Sequence, residues 1–276
     1  MAKQTTSNWI YRGAGALPRY EVFLSDIVYA PHRHDSYTLA LTLDGVQRFR
    51  YRGAQHHSLS GQVVVLHPDE IHDGQAGTEL GFRYRACHLT PECIQAASHS
   101  PTLPFLKAGV YQDPTLLKAT QRLLWDLQTP LSDLAQHEAI LAIAQSFSTL
   151  AGYQAKSKVV NMHAVQQAKD YIHAHLDTDI TMGDLERVSA HNRWQLARDF
   201  RQCLGTSPHR YVLYQRLQQA CQALMAGQQQ SQVAVACGFS DQSHFHRHFK
   251  QCYGLTPKQW LGLHQAENQP LHSLAS

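Results

Sequence analysis

Between Tyr20 and about Leu89 apolar and polar positions change every one or two residues. Leu39, Leu41 and Leu43 alternate with Thr38, Ala40 and Thr42. Asp44-Gly45 then reads as a two-residue turn, and Gln47-Arg48-Phe49-Arg50-Tyr51 resumes the alternation as far as Arg52-Gly53, so the spacing predicts a β-hairpin. Further strands are expected over 62–66 and 82–89, separated by the turn-rich stretches Pro68-Asp69-Glu70 and Gly74-Gln75-Ala76-Gly77. Short antiparallel strands at this spacing favour a small barrel or jelly roll. Beyond Pro114 the period becomes helical. Leu116, Leu117, Leu123, Leu124 and Leu127, then Leu131, Leu134, Ile140, Leu141, Ile143, Ala144, Phe147 and Leu150, recur at three- and four-residue steps, and Thr129-Pro130 divides them into two helices. These carry little charge and must pack on something, either closing one face of the barrel or forming the seam of a dimer. After Ala151-Gly152 the chain turns polar and loses its period, which places a linker over 153–162.

The last third repeats itself at an offset of 49 residues. Arg198 matches Arg247, Phe200 matches Phe249, Arg201 matches Lys250, and Gln202-Cys203 matches Gln251-Cys252. Gly205 matches Gly254, Pro208 matches Pro257, and Asn192 matches Asp241. Each unit reads as helix, tight turn, helix. Thr181 with Asp184 forms a capping box, Asn192 caps a second helix and Gly205 ends it; Ser231 opens the later unit, Gly238 turns it, Asp241 caps and Gly254 ends. Two short helices joined this way form a helix-turn-helix, whose second helix enters the major groove of DNA.

The outward face of those second helices has the matching chemistry. With Leu196 and Phe200 turned to the core, Arg193, Trp194, Ala197 and Arg198 face out; the repeat exposes Gln242, Ser243, His246 and Arg247. Arg, Gln, Ser and His donate to and accept from base edges, and Trp194 suits a thymine methyl or a sugar. Arg201 and Lys250, near the helix ends, suit phosphates. A helix of about seventeen residues from His209 to Met225 separates the units by roughly 25 Å, against about 34 Å between successive major grooves, so one chain can insert both helices with some bending of the duplex.

Charge agrees with this division. Residues 156–276 hold 12 Lys and Arg against 8 Asp and Glu, whereas residues 1–155 hold 12 against 13, so the net charge of +3 comes from the carboxyl-terminal part. The chain of 276 residues, 43% hydrophobic and 16% charged, exceeds the usual single-domain size. Its longest aliphatic run, Val63 to Leu66, is too short for a membrane helix, and residues 1–7 show no signal-peptide core, so a cytoplasmic location is expected. None of the six cysteines falls in a C-x-x-C pair, and they are read as reduced thiols. The 19 histidines divide 9 and 10 between the same two segments, so one metal cluster does not account for them.

The stretch Ala236-Cys237-Gly238-Phe239-Ser240-Asp241-Gln242-Ser243-His244-Phe245-His246-Arg247-His248-Phe249-Lys250, with Gly254-Leu255-Thr256-Pro257, closely resembles the second helix-turn-helix signature of the AraC/XylS family of bacterial transcriptional regulators. The first unit is similar but looser: Asn192 stands where Ser is usual and Glu186 where Ala is usual. The amino-terminal half resembles the cupin-like sensor of such regulators through Pro31-His32-Arg33-His34-Asp35-Ser36-Tyr37, Gly45, Gly61 and Pro68-Asp69-Glu70-Ile71-His72. In metal-binding cupins an H-x-H pair, a later Glu and a distant His hold a divalent ion. Here His32, His34 and His72 match and the acidic ligand is missing. His32, His34, Tyr37, His67 and His72 are therefore expected to line the pocket of a small polar effector, with no metal, cofactor or catalytic residue.

The resemblance implies a two-domain α+β chain. The expected parts are a cupin-like barrel or jelly roll over 1–110, trailing helices over 111–152, the linker, two helix-turn-helix units over 163–265, and a flexible tail over 266–276. It further implies a non-enzymatic, effector-sensing regulator, commonly an activator that contacts RNA polymerase. Its expected partners are double-stranded DNA, a small-molecule effector and a second copy of itself, with no membrane. The alternative is a cupin-type metalloprotein or metal-dependent enzyme with an accessory helical domain.

Overall fold

The computed structural model describes residues 8–152 and 160–265; most of the expected linker and all of the expected tail lie outside the described residues. The amino-terminal half is built on nine strands: β1 (Trp9–Arg12), β2 (Arg19–Leu24), β3 (Tyr29–His32), β4 (Tyr37–Tyr51), β5 (Ala54–Leu59), β6 (Val63–Leu66), β7 (His72–Ala76), β8 (Phe82–Leu89) and β9 (Val110–Tyr111). The order β1-β2-β8-β4-β6-β9 makes one antiparallel sheet, and β3, β7 and β5 pair in a second one on the far half of β4.

The hairpin expected at Asp44-Gly45 is not there. β4 runs unbroken for 15 residues, its first part paired with β6 and β8 and its last with β5 and β7. The register slips between Thr42 and Asp44, and Gly45 has φ +71°. A Cβ on Gly45 would collide with the carbonyl oxygen of Gly81. The Asp-Gly pair is thus a bulge that bends one strand from the first sheet into the second. The turn signal that does close a hairpin is Arg52-Gly53, both left-handed, between paired Tyr51 and Ala54. The turn expected at Gly74-Gln75-Ala76 is instead the body of β7.

Alternation along β4, β6 and β8 sorts side chains onto two faces. Ala40, Phe49, Tyr51, Val64, Leu66 and Ala86 fill the space between the sheets. Leu39, Leu41, Val63, Val65, Cys87 and Leu89 meet helices α1 (Pro91–Ser98), α2 (Pro114–Leu124) and α3 (Asp133–Ala151) on the outside. α2 and α3 are the two helices expected from the Thr129-Pro130 break, and they close a barrel face. Arg19, 1% exposed, donates to the carbonyls of Ala14, Leu123, Asp126 and Thr129 and so satisfies the end of α2.

The second half is helical: α4 (Met162–Ala174), α5 (Met182–Ser189), α6 (Arg193–Leu204), α7 (Pro208–Met225), α8 (Gln230–Ala236), α9 (Gln242–Tyr253) and α10 (Pro257–Gln265). Thr181 and Asp184 form the expected capping box, and Asn192, Asp241, Gly205 and Gly254 hold the expected helix ends. Ser231 is not a cap: it lies inside α8, whose first turn has no side-chain cap. Each unit has its own core, and α7 serves both, giving Tyr211 and Val212 to the first and Tyr214, Leu217, Ala220 and Leu224 to the second.

The halves meet along a built seam. Ala30 N–H donates to the Gly254 carbonyl and Arg33 N–H to that of Gln251, tying β3 to the end of α9. Leu103 N–H donates to Gln202 at the end of α6, and Lys169 pairs with Glu92 at 2.6 Å. Leu255 and Leu263 pack with Ile10, Val22, Leu24 and Phe82.

Candidate nucleic-acid interface and histidine cluster

α6 and α9 are each twelve residues long and are built alike. Asn192 accepts from Trp194 N–H, Asp241 accepts from His244 N–H, and Leu196, Phe200, Phe245 and Phe249 are buried. Burying those positions leaves Arg193, Trp194, Arg198 and Arg201 exposed on α6 and Gln242, Ser243, Arg247 and Lys250 exposed on α9, with Ala197 and His246 partly covered. Trp194 is 74% exposed, an apolar area that a soluble surface ordinarily hides.

The two faces differ in readiness. Arg193 is clamped by Glu186 through its backbone N–H (2.8 Å), Nε (3.0 Å) and Nη2 (2.5 Å), which holds the Glu186 carboxyl below the usual range. The departure from Ala at position 186 thus occupies one candidate reader. His246 shares a hydrogen bond with Gln230 at 2.7 Å. Arg201 borders a crevice of about 650 Å³ between the halves, together with Asp69, Glu70, Phe105, Gln202 and Gly205. Gln202 carries a buried Oε1 with no partner among the described residues.

Of the five expected effector residues, the fold brings three together. His32 ends β3, His72 opens β7 directly opposite, and His34 follows on the loop. The ring centroids of His72 lie 4.2 Å from His32 and 4.9 Å from His34. Tyr37 and His67 lie on the opposite face of the sheet, against the helices. Tyr37 is 0% exposed, donates to the Pro104 carbonyl and packs on Phe147, while His67 Nε2 accepts from Leu106 N–H. The parity of β4 carried this information, since Tyr37 is in phase with Leu39 and Leu41.

Two members of the cluster were not read from the sequence. His88 lies 4.9 Å from His34, and Thr38 Oγ1 lies 2.8 Å from His34 Nε2. His88 is in phase with Ala86 on β8, and that phase was the available signal. Burial, with repulsion among the rings, holds His34 and His72 well below the ordinary imidazole range; burial lowers His32 and brings His88 down to about 4. All four rings are neutral near pH 7, which leaves each one ring nitrogen with a lone pair.

The family model for the AraC-like ligand binding domain matches residues 16–145, and that for a helix-turn-helix domain matches residues 186–262. The chain is 38% identical over 92 residues to the probable transcriptional regulator LumQ of Photobacterium leiognathi, a match spanning 33% of this chain and 37% of LumQ. It is 26% identical over 249 residues to the transcriptional activator RhaS of Pectobacterium carotovorum, covering 83% and 86% of the two chains. It is 23% identical to the uncharacterised regulator YdeC of Bacillus subtilis, covering 83% and 85%. Among solved structures, an apo single-residue variant of ToxT from Vibrio cholerae superposes with a TM-score of 0.64 at 12% identity over 91% of this chain and 99% of that one. Wild-type ToxT bound to an unsaturated fatty acid does so with 0.61 at 13% identity, over 95% and 98%. Among the described residues no helix is long and apolar enough to cross a membrane.

Proposed function

The chain belongs to the AraC family of DNA-binding transcriptional regulators, with an amino-terminal ligand-binding domain and a carboxyl-terminal helix-turn-helix domain, and on that premise we propose how its residues divide the work. Arg198, Trp194 and Ala197 on α6, and Arg247, Gln242, Ser243 and His246 on α9, face base edges; Arg201 and Lys250 hold phosphates, while Glu186 holds Arg193 back from the duplex. The carrying observation is that Arg198 and Arg247 stand exposed at the same position of two helices that begin with equivalent caps.

A small ligand held by the sensor half shifts how the reading helices are presented, which requires different affinities for two arrangements. The cluster of imidazoles and hydroxyls between the sheets supports a polar ligand, in contrast to the fatty acid of the ToxT complex. The chain acts in the cytoplasm as a homodimer, without catalysis, and activates transcription through RNA polymerase. Trp125, Leu134 and Leu141, exposed on and beside α2 and α3, support the seam there.

Selection from random duplex DNA at a stated salt concentration tests the reading, with two blocks one helical turn apart expected. Arg198→Ala and Arg247→Ala should each weaken the selected site by about 1–3 kcal/mol. An unchanged specific affinity in the double variant refutes the assignment.

A further inference from the structure

We propose that Arg216 is a positioning residue that braces the two helix-turn-helix units against each other and so sets the spacing between operator blocks that one chain accepts. The effect on spacing rests on the reading above, in which α6 and α9 both enter the groove; the brace itself does not.

Arg216 stands halfway along α7, whose 18 residues pass from the first core to the second. Its neighbours Tyr214 and Leu217 already belong to the second core, yet its guanidinium reaches back to the first unit. Nε donates to the Leu176 carbonyl at 2.9 Å and Nη2 to that of Thr178 at 2.6 Å. Leu176 is itself part of the first core. Burial holds the guanidinium below its ordinary range, and the carboxylates of Asp179 and Asp177 on the same loop oppose that loss of charge. On its other side Arg216 is covered by Gly238, the turn of the second unit. A Cβ on Gly238 would lie 2.9 Å from Cζ and Nε of Arg216 and equally close to the Leu176 carbonyl oxygen. Gly238 also has φ +74°, so the turn and the close approach call for the same residue. One side chain thus joins the loop ahead of α5, the middle of α7 and the turn that aims α9.

This is the second point of attachment that a single rod lacks. α7 sets how far apart the units lie, but helices bend, and each unit packs on only half of this one. A contact off the helix axis, made between the units, resists bending and twisting at the middle. Two readers held stiffly at the right span act together on one duplex, and loosening their connection lowers the effective concentration of the second once the first has bound. The sensor also touches both reading helices, at Gln202 on α6 and at Gln251 and Gly254 on α9. The brace lies wholly within the DNA-binding half and does not depend on that seam.

The test measures binding of the full-length chain to the selected operator, to the same operator with two base pairs added or removed between its blocks, and to duplexes carrying one block. Arg216→Ala should weaken the two-block operator about tenfold while leaving each single block within about twofold of the wild type. It should also lose less than the wild type does when the spacing is changed. Arg216→Lys, which keeps the charge and a donor to the loop, should recover part of the loss. Because the sensor holds the same helices, the series is repeated in Asp69→Asn, which removes the charged acceptor of Arg210 at the seam; there the loss should be larger. Pulsed electron resonance between spin labels at Gln195→Cys and Ser243→Cys reads the brace without DNA, with Cys93→Ser and Cys221→Ser removing the two partly exposed thiols. Its distance distribution should broaden in Arg216→Ala. Single-block binding weakened as much as two-block binding overturns the proposal and leaves Arg216 a folding role. A spacing profile unchanged in both backgrounds, or a distance distribution no broader than that of the wild type, overturns it as well. Broadened distances in a chain that selects no two-block operator count against the assigned readers and leave the brace standing.

Discussion

Asp69 joins the two halves by charge at a second point besides the Lys169–Glu92 pair, and Asp69→Asn is the perturbation that reads its strength. One carboxylate oxygen accepts from Arg210 at 2.6 Å and the other from Tyr214 at 2.8 Å, while Arg33 approaches to 4.0 Å. The Asp69 side chain is 10% exposed and has φ +61°, a conformation that Asn tolerates better than Ala. Tyr214 is buried, and exchanging its charged acceptor for a neutral one costs about 1 kcal/mol. The Arg210 side chain is 42% exposed, so its pair counts for at most about 1 kcal/mol. With Arg33 the total is about 1.5–2.5 kcal/mol, which corresponds to opening the seam roughly 10- to 70-fold more often. Amide hydrogen exchange at Ala30 and Arg33, the donors to Gly254 and Gln251, measures that opening, and Val65, bonded to Gly109 within the first half, serves as control. In the double variant with Arg210→Ala the two effects should fall short of their sum by at least about 0.5 kcal/mol. Exchange at Ala30 and Arg33 within twofold of the wild type refutes the latch.

Two further outcomes follow from particular side chains. Glu186→Ala releases Arg193, so non-specific DNA binding should strengthen at low salt and the slope of log K against log salt should steepen by about one; an unchanged slope shows that Arg193 never reaches a phosphate. His67 and His88 are each brought down to about 4 by burial from an ordinary 6.5, so the unfolded chain binds more protons between those values. Stability is therefore full above pH 6.5 and falls as the pH drops toward 4, by up to about 3 kcal/mol for His67 alone; a melting temperature unchanged between pH 7 and pH 5 would falsify this.

Where a local rule decided the structure, the text was legible. The caps Thr181, Asn192 and Asp241 and the glycines at 205 and 254 name their helix ends directly, because each satisfies backbone groups that nothing else nearby satisfies. The 82–89 strand was bounded by its own turn residues. Asp44-Gly45 misled because the same dipeptide serves a tight turn and a bulge, and only the close approach of Gly81 decides between them. Of the five expected pocket residues, local motif proximity grouped all of them, while strand parity sends Tyr37 and His67 to the other face. Asp69, Arg210 and Tyr214 were beyond reach, since a contact across more than 140 positions leaves no periodic trace.

α7 belongs to both reading units, and its 18 residues run unbroken between their cores. Each residue added or removed in such a rod turns one unit against the other by about 100° and shifts it by 1.5 Å. Changes of one or two residues would aim the two reading helices at different sides of a duplex, while a change of seven, nearly two full turns, would restore their bearing at a longer reach. Operator spacing in this architecture is therefore inherited in discrete steps. A lineage can alter which bases it reads one side chain at a time, but it can alter the distance between the blocks only in whole helical turns of protein.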